Sequence, residues 1–250
     1  MANASSSARV GTAGWAIPAA VRERFDVGAS ALERYATRFD AAEINSSFHR
    51  PHRRSTYERW AASVPASFRF AVKLAKVITH QRRLVDCREP LARFADEVTG
   101  LGDKRGPLLI QLPPSFAFEA GLVDDFLGDL RAVLKGDVVC EPRHASWFDA
   151  DADGWLAARQ VARVAADPAP VPLAAHTGGW TGLAYRRLHG SPRVYWSGYS
   201  PEAIEDHARV AAATIARGGE SWTIYDNTAG GEAAGNALAL RARLGGLIRE

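Results

Sequence analysis

Leu108–Arg143 reads LLIQLPPSFAFEAGLVDDFLGDLRAVLKGDVVCEPR, and this stretch decides how the fold is read. Its two ends are short apolar runs, Leu108–Leu112 and Val138–Glu141, each carrying a polar residue at or next to its close. Between them Glu119–Leu134 spaces apolar residues three or four apart, the period of a helix with one buried stripe. Strand, helix and strand in that order make a βα unit, whose crossover joins parallel strands.

Working outward, the same alternation predicts strands at Val10–Gly14, Ala41–Asn45, Phe68–Leu74, Val161–Ala166, Gly182–His189 and Trp222–Asp226. Helical spacing recurs at Ala29–Arg38, Arg54–Ser63, Glu89–Leu101, Asp151–Arg159, Pro201–Arg217 and Gly231–Leu247. Ser30, Ser200 before Pro201, and Asp149 or Asp151 supply helix-start signals. Asp167–Trp180 (DPAPVPLAAHTGGW) is too rich in proline and glycine for a helix and is expected to be a loop. The expected fold is therefore a single (β/α)8 TIM-type barrel over residues 9–250 that lacks a regular helix after strand six. A doubly wound nucleotide-binding sheet is disfavoured, because Gly11-Thr12-Ala13-Gly14-Trp15 ends on a bulky Trp instead of opening a helix on a third glycine.

Composition agrees with one soluble globular domain: 250 residues, 47% apolar and 24% charged. The 31 basic and 28 acidic residues nearly cancel, so the pI of 9.0 is only a slight pointer to a polyanion. Cys87 and Cys140 form no CxxC and are too few for a disulfide framework, which fits a reducing, cytoplasmic setting. Residues 1–8 (MANASSSA) read as a loose tail without a secretory pattern, and no apolar run is long enough for a membrane span.

In a parallel barrel the chemistry collects where strands end. Here Glu43 and Asn45 end strand two, Lys73 strand three, Gln111 strand four, Glu141 and Arg143 strand five, Arg187 and His189 strand seven, and Asp226 and Asn227 strand eight. Side chains two apart on a strand share a face, so three strands each present a polar pair. His80 and His144 lie in loops beside these residues. Trp15, Phe48, Phe116, Trp147, Trp180 and Tyr199 are candidates for pocket walls, although plain packing is their commoner role. Arg50–Arg54 and His80–Arg83 make two basic loops that are either solvated or phosphate-positioning.

Several of these segments together, Glu43–Phe48 (EINSSF), Phe68–Lys73 (FRFAVK), Ile78–His80 (ITH), Gln111–Phe116 (QLPPSF), Glu141–His144 (EPRH), Trp147-Phe148 and Arg187–Gly190 (RLHG), resemble the YecE-like family, domain of unknown function 72. The resemblance runs from Val10 to about Leu244 and implies a TIM-type barrel with an enzyme-like site but no established reaction. Its motif residues correspond to Glu43, Asn45, Lys73, His80, Gln111, Glu141, Arg143, His144, Arg187, His189 and Asn227. Three segments depart from the family pattern. Ala16–Phe25 replaces an aromatic first loop, Pro142 and Ala145 alter the strand-five motif, and Asp226 stands where the family has Asn.

The leading expectation is a metal-independent acid–base enzyme, without a cofactor, for a small anionic, phosphate-bearing metabolite. Lys73, Arg143 and Arg187 would meet charge, Glu43 or Glu141 would move a proton, His189 would assist, and Asn45, His80, Gln111, His144, Asp226 and Asn227 would bind. A metal-dependent phosphoesterase or isomerase would instead use Glu43, Glu141, His144, His189 and Asp226 as ligands. Three cations at one rim oppose that. A non-catalytic module binding nucleic acid or protein through the basic loops is the remaining alternative.

Overall fold

The computed structural model describes residues 7–247. Its strands are β1 (Ala8–Thr12), β2 (Ala41–Ile44), β3 (Arg69–Lys73), β4 (Arg105–Gln111), β5 (Val138–Glu141), β6 (Val161–Arg163), β7 (Ala165–Asp167), β8 (Gly178–Gly179), β9 (Leu183–Leu188) and β10 (Glu220–Tyr225). The helices are α1 (Ala31–Ala36), α2 (Ser46–His49), α3 (Arg54–Ala62), α4 (Arg88–Val98), α5 (Ala120–Val133), α6 (Ala150–Ala158), α7 (Pro201–Ala216) and α8 (Ala233–Leu247). The proposed tail lies outside the described residues except for Ser7 and Ala8. Ala8 is already paired with Ser221, so β1 begins two residues earlier than expected.

The fold is mixed α/β, with two parallel-rich sheets. One has the order β1-β10-β9-β7 and the other β2-β3-β4-β5-β6-β8. Every pairing is parallel except β6 with the two-residue β8. The run expected as strand six is divided at Val164, whose N–H turns back to the Cys140 carbonyl at 2.8 Å. Its first half joins one sheet and its second half the other. Between β7 and β9 the described chain has a 3-10 turn (Pro172–Ala175) and no α-helix, as the proline content dictates.

Helix starts follow from local chemistry. Ser30 accepts from Glu33 N–H, Asp149 from Ala152 N–H and Ser200 from Ala203 N–H, each satisfying an otherwise unpaired first-turn donor. Asp149, not Asp151, caps α6.

Strand alternation sorts side chains into two cores. Ala41, Ala71, Leu109, Val139, Ala162, Tyr185, Trp222 and Ile224 form an inner cluster. The residues that alternate with them along the strands, such as Ile44, Phe70, Val72, Leu108, Ile110 and Cys140, pack with the helices in a larger outer cluster. Burying each large apolar side chain contributes about 1.5–3 kcal/mol. The inner faces follow one rule. Two residues after an apolar inward position comes a polar one: Ala41 then Glu43, Ala71 then Lys73, Leu109 then Gln111, Val139 then Glu141, Tyr185 then Arg187, Ile224 then Asp226.

Candidate active site

Arg187, 1% exposed, is the hub where those polar residues meet. Its Nε lies 3.1 and 3.0 Å from Glu43 Oε1 and Oε2, and its Nη2 lies 2.8 Å from Glu43 Oε1. The other donors go to Glu141 Oε2 at 2.5 Å and Asp226 Oδ2 at 3.1 Å. Tyr185, two residues earlier on the same face of β9, donates its hydroxyl to Glu43 Oε2 at 2.8 Å. Arg143 donates to Glu141 Oε1.

His189 follows β9, with Nδ1 2.9 Å from Asp226 Oδ2 and Nε2 3.5 Å from Glu141 Oε1 and 3.2 Å from Arg143 Nη2. Both protonation states of this imidazole therefore find partners. The cation donates to two carboxylates, and the neutral ring accepts from Arg143 at Nε2 while still donating to Asp226. Burial works against the cation, but the Asp226 and Glu141 hydrogen bonds outweigh it and raise the His189 pKa.

The carboxylates respond in the opposite sense. Burial pushes Glu141 up, yet Arg187, the His189 hydrogen bond and Arg143 together hold it well below the usual carboxylate range. Asp226 is lowered likewise, burial being outweighed by the His189 hydrogen bond and Arg187. Three carboxylates, two guanidiniums and the ammonium of Lys73 balance in charge.

Lys73 is the member without a partner. It is 9% exposed, and among the described residues its Nζ makes no hydrogen bond or ion pair, resting instead 4.2 Å from the ring centroid of Phe48. Burial and then the Arg187 charge lower its pKa to about 8, against the pull of Glu141, Glu43 and Asp226. Phe48 is held there by α2, which Ser47 ties to β3 through a 2.7 Å bond from its hydroxyl to the Lys73 carbonyl. His80 lies in a π-helical turn (Val77–Gln81) edge-on to Phe48. Burial, then Lys73, Lys76 and Arg83, lower its pKa.

Above the cluster the chain after His189 folds back over it. Gly190 has φ +93°, and a Cβ there would stand 2.7 Å from the Ser197 carbonyl oxygen, so only glycine makes the turn. Tyr195 then packs edge-on against His189, its ring centroid 5.6 Å away.

The sequence profile described as "Protein of unknown function DUF72" matches residues 9–249. The chain belongs to the DUF72 family. It is 29% identical over 171 residues to UPF0759 protein YecE of Escherichia coli (strain K12), covering 66% of this chain and 61% of that protein. The protein of the same name from the O157:H7 strain matches over 49% of its length, so this chain spans about half to three fifths of those relatives. Two solved DUF72 structures share the fold. The Enterococcus faecalis V583 protein has TM-score 0.77 at 21% identity, covering 96% of this chain and 98% of that one. The Thermotoga maritima MSB8 protein has TM-score 0.75 at 22% identity, covering 95% and 99%.

Within this DUF72 chain, Glu43, Glu141, Arg143, Arg187, His189 and Asp226 come together, with Lys73 beside them. The others lie apart in local roles. Gln111 bonds the next carbonyl, Leu112, at 3.0 Å. His144 accepts from Ser146 N–H and starts a 3-10 turn. Asn227 is fully buried and braces the chain, donating to Ser197 O and Asn236 Oδ1. Asn45 does not continue its strand, which ends at Ile44. Its buried Oδ1, like Arg143 Nε, has no partner among the described residues.

Two tyrosines escaped the sequence reading. Tyr185 was detectable as the inward residue preceding Arg187, but a Tyr within an apolar strand reads as packing. Tyr195 carried no such signal. A resident metal fits poorly. The guanidinium of Arg187 occupies the point between the carboxylates, His144 is directed elsewhere, and among the described residues no set of three His, Cys, Asp or Glu is arranged to hold an ion. Arg187 is met by the protein's own carboxylates, Glu43, Glu141 and Asp226. No helix of the described residues is long and apolar enough to cross a membrane.

Proposed function

We propose that this protein is a metal-independent acid–base enzyme acting on a small anionic, phosphate-bearing metabolite at the C-terminal ends of the strands. The observation that carries the reading is Lys73, a buried amine without an ion-pair partner among the described residues, beside carboxylates whose charge is already met by Arg187 and Arg143. An amine with pKa near 8 is partly neutral at ordinary pH and accepts a proton from a substrate.

The substrate-facing groups in this reading are Lys73, Asp226 and Arg143, which keep some exposure, whereas Glu43, Glu141, Arg187 and His189 are buried at 0–1% and position them. Among the described residues Asp226 accepts only at Oδ2, so Oδ1 is left to accept from a substrate hydroxyl. Arg143, whose side chain is 24% exposed, and Lys73 meet the substrate anion. The proton taken by Lys73 leaves an ammonium over the Phe48 ring, a contact worth about 0.5–2 kcal/mol, and returns to the product from there.

The same reading takes the two sheets as one (β/α)8 TIM-type barrel. Its support is the run shared by both sheets across Val164, and the bridge between Ala13 and Glu43 with Gly14 N–H 2.8 Å from the Glu43 carbonyl. The functional test is incubation in D2O with a panel of phosphorylated ketones and aldehydes, read by proton NMR. Loss of a carbon-bound proton signal is expected with wild type and not with Lys73→Met. Equal exchange by both proteins, or none with any compound, contradicts the proposal.

A further inference from the structure

Arg186 neighbours Arg187 on β9 and, by strand alternation, faces the helices instead of the inner cluster. It is 6% exposed. Its only hydrogen bond among the described residues is a long one, 3.4 Å from Nη1 to Ser221 Oγ, and no carboxylate there lies within ion-pair distance. The charge acting on it most is another cation, Arg217. Burial first and Arg217 second lower its pKa to about 10. A guanidinium this buried is strongly unfavourable without a counter-charge. Arg187 has three carboxylates for that purpose; among the described residues Arg186 has none.

The unpaired guanidinium lines a crevice of about 800 Å3, counting its open mouth, between β7, β9 and α7. Its apolar wall is Ala165, Ala166, Leu188 and Val210. The other titratable groups facing it are already engaged or neutral. Asp167 Oδ2 accepts the Tyr199 hydroxyl at 2.6 Å, and Asp206 is paired with Arg209. His207 Nδ1 lies 3.0 Å from the Tyr225 hydroxyl, and burial followed by Arg186 lowers its pKa to about 4, so it is uncharged. His176 lies at the exposed rim.

We propose that this crevice is a second ligand site, separate from the strand-end cluster, which takes a small carboxylate with an apolar body. The carboxylate meets Arg186 and the body lies against Ala165, Ala166, Leu188 and Val210. One unpaired guanidinium lining the crevice and an apolar wall suit a monoanion. A dianionic phosphate would meet repulsion from Asp167 and Asp206 and leave the wall uncovered.

The test is calorimetric titration of hexanoate, benzoate and inorganic phosphate into wild type, Arg186→Met, Val210→Trp and Lys73→Met, at two salt concentrations to subtract diffuse attraction. Met keeps the apolar stem of Arg186. Val210 is 48% exposed on α7, so Val210→Trp fills the crevice without entering the core. Saturable hexanoate or benzoate binding is expected in wild type and in Lys73→Met, roughly tenfold or more weaker in Arg186→Met and Val210→Trp. The proposal is overturned by any of four results: no saturation by millimolar carboxylate, unchanged binding in both crevice variants, binding of phosphate as tight as that of hexanoate, or loss of binding in Lys73→Met with retention in Arg186→Met. The last would place the anion at the strand ends. Because Lys73→Met is expected to bind normally, failure here and failure of the acid–base reading are separable.

Discussion

Arg187 donates three hydrogen bonds to Glu43, with nitrogen–oxygen distances of 2.8–3.1 Å, and so joins β9 of one sheet to β2 of the other. Glu141 on β5 and Asp226 beyond β10 share the same guanidinium, making it the ionic tie between the two sheets. Arg187→Met leaves three buried carboxylates without their common partner. A loss of about 3–5 kcal/mol is expected, as for a broken buried pair. Denaturant unfolding measures it, and Glu43→Gln, which still accepts from Tyr185 and Arg187, is expected to lose less.

Asp226→Asn removes one of the two anions that favour the His189 cation. The His189 pKa, raised in wild type, is expected to fall toward or below its ordinary 6.5 in the variant. Imidazole proton shifts followed against pH report it directly. An unchanged value would show that Glu141 alone sets the titration.

Stability is expected to depend on pH with two opposite slopes from this cluster. Glu141 and Asp226 have lowered folded values, so their contribution is complete above the ordinary 4.5 and 3.8 and is lost as pH falls through and below them. His189 has a raised folded value, so its contribution is complete below 6.5 and is lost as pH rises through its folded pKa. Urea midpoints measured across this range, with Asp226→Asn as the comparison, resolve the two slopes.

The strand ends were legible because a strand has a period of two. Once Ala41, Ala71, Val139 and Ile224 are read as inward, Glu43, Lys73, Glu141 and Asp226 must follow on the same face. The pairing rule then holds for Glu141 with Arg143 and for Arg187 with His189. It stops at Asn45, because the chain leaves the extended conformation after Ile44 to begin α2. The division at Val164 was hidden within an uninterrupted β-prone run. Gln111 and Asn227 were grouped by position along their strands and His144 by its place in the loop after strand five, yet each is captured by a backbone or side-chain group nearby, which sequence spacing does not reveal.

Lys73→Met is expected to stabilise the protein. The folded state holds this ammonium less readily than the unfolded chain does, so its burial costs stability at every pH below about 8, and that cost is relieved between about 8 and 10.5. The gain in the variant is about 1–3 kcal/mol at neutral pH. Thermal unfolding at pH 7 and pH 10 tests it: the advantage of the variant should shrink at the higher pH, and a variant less stable than wild type at pH 7 would mean that the ammonium is a structural partner of the carboxylates.

The most direct test of Lys73 as the proton-accepting group is its own titration. The chain has only four lysines, Lys73, Lys76, Lys104 and Lys135, so carbon-13 labelling at lysine Cε gives four signals, and Lys73→Met identifies one of them. The account predicts that this signal titrates with a midpoint near pH 8. A midpoint at or above the ordinary 10.5 would contradict it, leaving Lys73 a permanent cation and the cluster an ionic tie between strands without a base.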